Sequence, residues 1–178
     1  MKLIKTKFKD LIIIQHSVFL DNRGSFKEVF KKEKLEALIN KKIDFCQQNS
    51  VISNLNVLRG LHFQKEPYAQ SKLVTVEKGE ILDVAVDMRN DSLTYGKYFS
   101  YILSSENHES LFIPKGFAHG YLTLSKTAVI NYLVDNYYNK SKEEGISFKD
   151  EFLNIDWGVE ESKLIYSQKD KNFKNFNW

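Results

Sequence analysis

The sequence predicts an all-β sandwich or barrel, on three observations. Helical periodicity is scarce, strand-like runs recur at short and fairly even spacing, and turn signals separate them. Two prolines and eight glycines punctuate 178 residues, with no Ser/Gly-rich linker and no repeat of fixed period. That predicts one domain over residues 1–178, a length one domain comfortably fills. Hydrophobic residues make up 42% of the chain, enough to build a core.

Residues 1–15 read as strand-rich. The best helical pattern is Lys31 to Asn40, where Leu35, Leu38 and Ile39 would share one face. Lys72 to Glu77 and Glu80 to Asp87 flank Lys78-Gly79, which reads as a hairpin. In its second arm Leu82, Val84 and Val86 alternate with Ile81, Asp83, Ala85 and Asp87. A polar end of the barrel or a solvent face accounts for Asp83 and Asp87 as well as an inward role does. Further strands are expected at Tyr98 to Leu103, Ser110 to Ile113, Tyr121 to Leu124 and Thr127 to Val134.

Composition narrows the function. Lys and Arg exceed Asp and Glu by 26 to 23, a net +3, too mild an excess for nucleic-acid binding. No apolar run approaches the ~18 residues of a membrane span. Leu11 to Ile14 is too short for a signal-peptide core. A single cysteine, Cys46, forbids an internal disulfide and makes a reducing cytoplasm the expected location.

Two of the four histidines sit in informative surroundings. His62 lies in Leu58-Arg59-Gly60-Leu61-His62-Phe63-Gln64, beside a cation and a glycine that lets backbones approach. His119 follows Pro114-Lys115-Gly116, a rigid turn that delivers the imidazole into the start of the next strand. His16 and His108 read as structural.

Strand density and the Pro-x-Gly-x-x-His element together resemble a cupin-type jelly roll with a few short peripheral helices. Many cupins hold a metal through two histidines close in sequence, a carboxylate and a later histidine. Here Gln64 stands where the second histidine would be, and an amide is a poor transition-metal ligand. No metal is therefore expected, and His62 is free to act as a base.

The sequence is similar, in order from Asp21 to Asp170, to the dTDP-4-dehydrorhamnose 3,5-epimerase family. The matching segments are Asp21-Asn22-Arg23-Gly24-Ser25-Phe26-Lys27-Glu28, Gln47-Gln48-Asn49, Arg59 to Gln64 and Lys72-Leu73-Val74. They continue through Asp83 to Arg89, Ile113 to Gly120, Tyr132 with Tyr137-Tyr138, Gly145-Ile146 and Ser167-Gln168-Lys169-Asp170.

The resemblance implies a nucleotide-diphosphate 4-keto sugar whose C3 and C5 hydrogens are acidified by the carbonyl. It makes His62 the base, Asp170 its partner, Tyr132 the acid on the opposite face, and Lys72 the cation near the C4 oxygen. His119 would line the sugar pocket. Arg23 and Arg59 offer planar forks for the pyrophosphate, and Phe26 a surface for the base to stack on. Glu28, Gln47, Asn49, Tyr138 and Glu143 would add substrate contacts. In the family the segment matching Arg23 to Glu28 reaches a neighbouring subunit, which implies a homodimer, and residues 1–15 would suit strand exchange. No cofactor is implied, because the substrate carries its own carbonyl, and no Gly-x-Gly-x-x-Gly fingerprint is present.

After Tyr132 the family commonly has a lysine and then Thr-Asp. Here the run is Leu133-Val134-Asp135-Asn136. That leaves open a GDP-linked 4-keto heptose or inversion at C3 alone. The competing classes are a cupin 3,4-ketoisomerase, a non-catalytic sugar-binding cupin and a metal-dependent oxygenase. Phe63-Gln64 argues against the first and third, and His62, Tyr132 and Asp170 together argue against the second.

Overall fold

The structure, a computed structural model, describes residues 1–178. The elements run β1 (Lys2–Lys5), β2 (Ile12–Gln15), β3 (Val18–Asp21), β4 (Gly24–Lys27), α1 (Lys32–Ile39), β5 (Gln47–Asn54) and β6 (Leu58–Gln64). They continue with β7 (Lys72–Lys78), β8 (Glu80–Asp87), β9 (Tyr98–Ser104), β10 (Glu109–Ile113), β11 (Phe117–Thr123), β12 (Thr127–Val134), β13 (Glu143–Gly145) and α2 (Gln168–Lys171).

Two antiparallel sheets face each other. One has the order β1-β2-β10-β7-β12-β5 and the other β13-β6-β11-β8-β9, while β3 and β4 form a separate hairpin. Together they make the cupin-type jelly roll that the sequence predicts.

Alternation along each strand divides the apolar residues into three layers. Between the sheets lie Val74, Val76, Ile81, Ala85, Leu111, Phe117 and Ile130, among others. The outer face of the five-stranded sheet, through Leu58, Leu61, Val84 and Val86, is covered by Ile146, Phe148, Leu153 and Trp157. On the six-stranded sheet, Ile12, Ile14, Leu73 and Phe112 are covered by Leu35 of α1 and by Ile43. At about 25 cal/mol per Å² of apolar surface, each fully buried Val, Leu or Ile among them contributes roughly 1.5–3 kcal/mol.

α1 matches the expected helix. Its apolar positions 35, 38 and 39 face the sheet, and Asn40 ends it in the left-handed conformation (φ 51°). Strand β12 has the expected bounds.

The hairpin expected at residues 72–87 does not form. β7 pairs with β10 and β12, whereas β8 pairs with β9 and β11, so the chain changes sheets at Gly79. Both strands are buried on two sides, and an apolar stripe cannot say which neighbour covers it. Strand β11 begins at Phe117, four residues before the expected Tyr121, because Gly120 sits inside the strand rather than in a turn. The strands in residues 1–15 pair with each other and with β10 of the same chain, their Ile12 and Ile14 spent on this chain's own core.

No helix is long and apolar enough to cross a membrane. His16 and His108 line neither of the clefts that hold His62 and His119. His16 is buried, with Nε2 2.7 Å from Ser110 Oγ, which lies 2.6 Å from Thr75 Oγ1.

Candidate active site

Strand β6 carries the first part of the site. Its register against β11 pairs His62 with His119 and Arg59 with Tyr121, so three steps on β6 match two on β11. This bulge at Gly60 puts Arg59 and His62 on the same inward face while Leu58 and Leu61 both face outward. Only glycine fits there. Its φ is 120°, and a Cβ would come within 2.5 Å of Gly120 Cα and 2.7 Å of the His119 carbonyl.

His62 Nε2 lies 2.5 Å from Asp170 Oδ1. With the proton on Nε2, the ring donates to the carboxylate and Nδ1 keeps the basic lone pair. Asp170 is only 4% exposed, and its own short helix prepares it to accept. Ser167 caps α2 by accepting from the Asp170 amide at 3.1 Å, and its hydroxyl donates to Asp170 Oδ2 at 2.8 Å. Burial pushes the Asp170 carboxyl upward, but the bonds from His62 and Ser167 outweigh it and hold the group below its ordinary range.

A second imidazole–carboxylate pair stands beside the first. His119 Nε2 lies 2.7 Å from Asp83 Oδ1, both side chains buried, and Asp83 Oδ2 has no hydrogen-bond partner. Burial lowers the His119 pKa, against the pull of Asp83. Lys72 enters from β7, and burial pushes its ammonium down to about 8, opposed by attraction to Asp83 and Glu143. Tyr132 enters from β12. Burial raises its phenol above the usual range, while Arg59 pulls it back.

Two adjoining clefts of about 340 Å³ each share His62, Lys72 and Tyr132. One adds Gln47, Asn49, Tyr138 and Glu143, the other Arg59, His119, Ser167, Lys169 and Asp170. Gln47 donates to Asn49 at 2.8 Å, and Glu143 accepts from Tyr138 at 2.6 Å and from Lys169 at 2.5 Å. A larger cleft of about 670 Å³ lies between α1 and residues 5–12, and holds no imidazole.

Ten of the thirteen expected site residues thus line one region. Arg23, Phe26 and Glu28 do not reach it within the chain. Arg23 pairs with Asp21, Glu28 with Lys34, and Phe26 is 67% exposed on the free hairpin.

Four further residues line or orient the site. Asp83 fixes His119, Ser167 orients Asp170, Lys169 holds Glu143, and Ser53 links Tyr121 to Arg59 through contacts of 3.1 Å on each side. Two had a sequence signal. Ser167-x-x-Asp170 is a helix-start pattern, and Asp83 is an acid at an inward strand position.

Gln64 borders the first cleft, with its side-chain amide engaged by backbone. It donates to the Tyr68 and Tyr137 carbonyls and accepts from the Asn139 amide. No three His, Cys, Asp or Glu side chains come together in metal-binding geometry.

A jelly roll whose open end gathers imidazole–carboxylate pairs, a tyrosine and a lysine from facing sheets defines a cupin-type epimerase. The model of the dTDP-4-dehydrorhamnose 3,5-epimerase family matches residues 5–177. The chain is 46% identical to the Shigella flexneri enzyme of that name over 176 residues, 99% of this chain and 96% of that one.

The crystal structure of the Elizabethkingia anophelis enzyme superposes with a TM-score of 0.95 at 46% identity, covering 99% of this chain and 96% of that chain. A dTDP-6-deoxy-D-glucose-3,5-epimerase from Legionella pneumophila, solved with dTDP-4-keto-L-rhamnose, superposes at 0.94 with 41% identity, covering 98% and 92%. The chain belongs to the dTDP-4-dehydrorhamnose 3,5-epimerase family.

Proposed function

We propose that residues 1–178 act as one domain that inverts C3 and C5 of a dTDP-linked 4-keto-6-deoxy sugar, with the roles that follow. His62 takes the proton α to the carbonyl, and Asp170 holds the ring and balances the imidazolium. The electron pair moves to the C4 oxygen, where the Lys72 ammonium and the His119–Asp83 pair meet the enolate. Tyr132 returns a proton from the other side. Its phenolate and the imidazolium are then reset by proton exchange with solvent.

One observation carries this reading. His62 stands on the five-stranded sheet and Tyr132 on the six-stranded sheet, both lining one cleft, so a sugar between them meets a base on one face and an acid on the other.

The departures after Tyr132 bear on the choice of sugar. Leu133 packs in the layer of Ile12 and Leu35 outside the six-stranded sheet. Asp135 accepts from the Ser71 amide, and Asn136 donates to the Pro67 carbonyl. All three serve the scaffold, so the heptose alternative draws no support from these departures, and the dTDP-hexose reading rests on the family.

Arg23, Phe26 and Glu28 act on a second copy in this reading. The β3–β4 hairpin pairs with neither sheet and exposes Phe19, Leu20 and Phe26, and β5 has one unpaired edge. A homodimer built through that hairpin would carry all three side chains to a neighbour's cleft.

The test is incubation with dTDP-4-keto-6-deoxyglucose in deuterated water, following C3 and C5 by NMR. Deuterium at both carbons with inverted product supports the reading; label at neither overturns it.

A further inference from the structure

We propose that Phe173 is a positioning residue for His62, seated by a clasp centred on Asp150. The proposal rests on the reading of His62 as the base. His62 is a partly exposed side chain, 28% open to solvent, and its single hydrogen bond to Asp170 restrains one ring nitrogen but leaves the plane free to swing. A second contact restrains it. The Phe173 ring meets the imidazole edge-on, with centroids 5.5 Å apart and planes at 70°.

The seat for that ring is made by an absent side chain. Gly145 of β13 is the cross-strand partner of His62. A Cβ there would come within 2.4 Å of two Phe173 ring carbons. Any other residue at 145 would fill the slot beside the imidazole that Phe173 occupies.

The segment beyond α2 is fastened by residues that line neither cleft. The Ser147 amide donates to the Lys174 carbonyl at 3.0 Å. Asp150, 2% exposed, accepts from the Phe176 amide at 2.7 Å and from Trp178 Nε1 at 3.1 Å. The Trp178 ring packs on Phe176 and Phe152, with centroids at 4.8 and 5.3 Å. One segment therefore supplies both restraints on His62, the carboxylate at Asp170 and the ring three residues later. A general base has to meet its proton within a few tenths of an ångström, and locking its rotamer through packing supplies that.

The test compares Phe173→Ala, Phe173→Leu, Asp170→Asn, the double variant Phe173→Ala/Asp170→Asn and His62→Asn. Phe173→Ala should lower kcat about 10- to 100-fold with KM and melting temperature nearly unchanged, and Phe173→Leu should recover most of the loss. In the Asp170→Asn background the same truncation should cost much less, because the ring is already untethered.

Full kcat in Phe173→Ala, or an undiminished loss in the double variant, overturns the proposal. If His62→Asn is inert while Phe173→Ala is fully active, only the positioning role fails. If His62→Asn keeps its solvent exchange, the base assignment fails and this role with it. Should Phe173→Ala not fold, Trp178→Phe removes one clasp bond and keeps the packing. It should lower kcat in the same direction by a smaller factor, and an unchanged kcat there overturns the clasp.

Discussion

Arg59 and His62 share one face of β6 although three positions separate them, because the bulge at Gly60 spends one residue without advancing the register against β11. In an unbroken strand, residues three apart point to opposite faces. A guanidinium and an imidazole thus enter one cleft while Leu58 and Leu61 both stay in the apolar layer behind it.

Gly60→Ala should therefore cost stability first and activity as a consequence. A left-handed φ and a backbone contact of 2.5 Å leave the new methyl no room, so at least ~2 kcal/mol should be lost. Thermal unfolding checks this. A melting temperature equal to that of the unaltered chain would mean the bulge relaxes freely.

Removal and return of a proton should separate in two variants. His62→Asn should abolish deuterium uptake at both carbons, a loss of ~10²–10⁴-fold. Tyr132→Phe should depress formation of inverted product far more than deuterium uptake, since one-face exchange needs only His62. Inversion at the unaltered rate in Tyr132→Phe would reduce that residue to a wall of the cleft.

Lys72 should set the alkaline side of the pH profile. With its ammonium held down to about 8, turnover should fall as pH rises through that value. Lys72→Met should lose ~10²–10³ in kcat together with that limb. The same shift has a stability signature of fixed sign. Between about 8 and the ordinary lysine value of 10.5 the unfolded chain binds a proton that the folded chain has released, so stability should rise with pH in that window.

His16 should govern acid sensitivity. Burial, with repulsion from Lys27, lowers its pKa from 6.5 to about 4. The unfolded state takes up the proton first as pH falls, so stability is lost between about 6.5 and 4, by up to ~3 kcal/mol. His16→Gln should flatten urea-unfolding midpoints across that range; an unaltered slope would place the acid lability elsewhere.

Subunit complementation should expose the hairpin's role. Arg23→Ala and His62→Asn should each be poorly active alone. Unfolded together and refolded, copies that pair through the hairpin as proposed should regain up to about a quarter of the activity, through the one site in four that draws an intact hairpin and an intact base from different copies. No gain on mixing would confine Arg23 to its own chain.

The sequence disclosed what depends on local pattern and withheld what depends on pairing. The helix at Lys32–Ile39 and strand Thr127–Val134 were legible because each carries its own period and its own ends. The relation of β7 to β8 was not, since Lys78-Gly79 looks alike whether a chain folds back on itself or passes to the opposite sheet. His62 and His119 stood out by their glycine and proline neighbours. Asp83 read equally well as a solvent-face acid, because its value lies in facing His119, and that depends on the register of β8 against β11. Asp170, flanked by lysines, reads as a solvated residue until α2 turns it inward, so only the family resemblance brought it forward.

The bond between His62 and Asp170 closes a loop of 108 positions. Synthesis runs from the N-terminal side, so both sheets, the lysine and the tyrosine are complete while the carboxylate is still unmade. A growing chain can assemble its barrel early while the imidazole still lacks its partner, which it acquires only once α2 has emerged and docked. Activity regained on refolding should for the same reason lag behind the return of β-structure, a delay set by the chain's connectivity rather than by any step in the reaction.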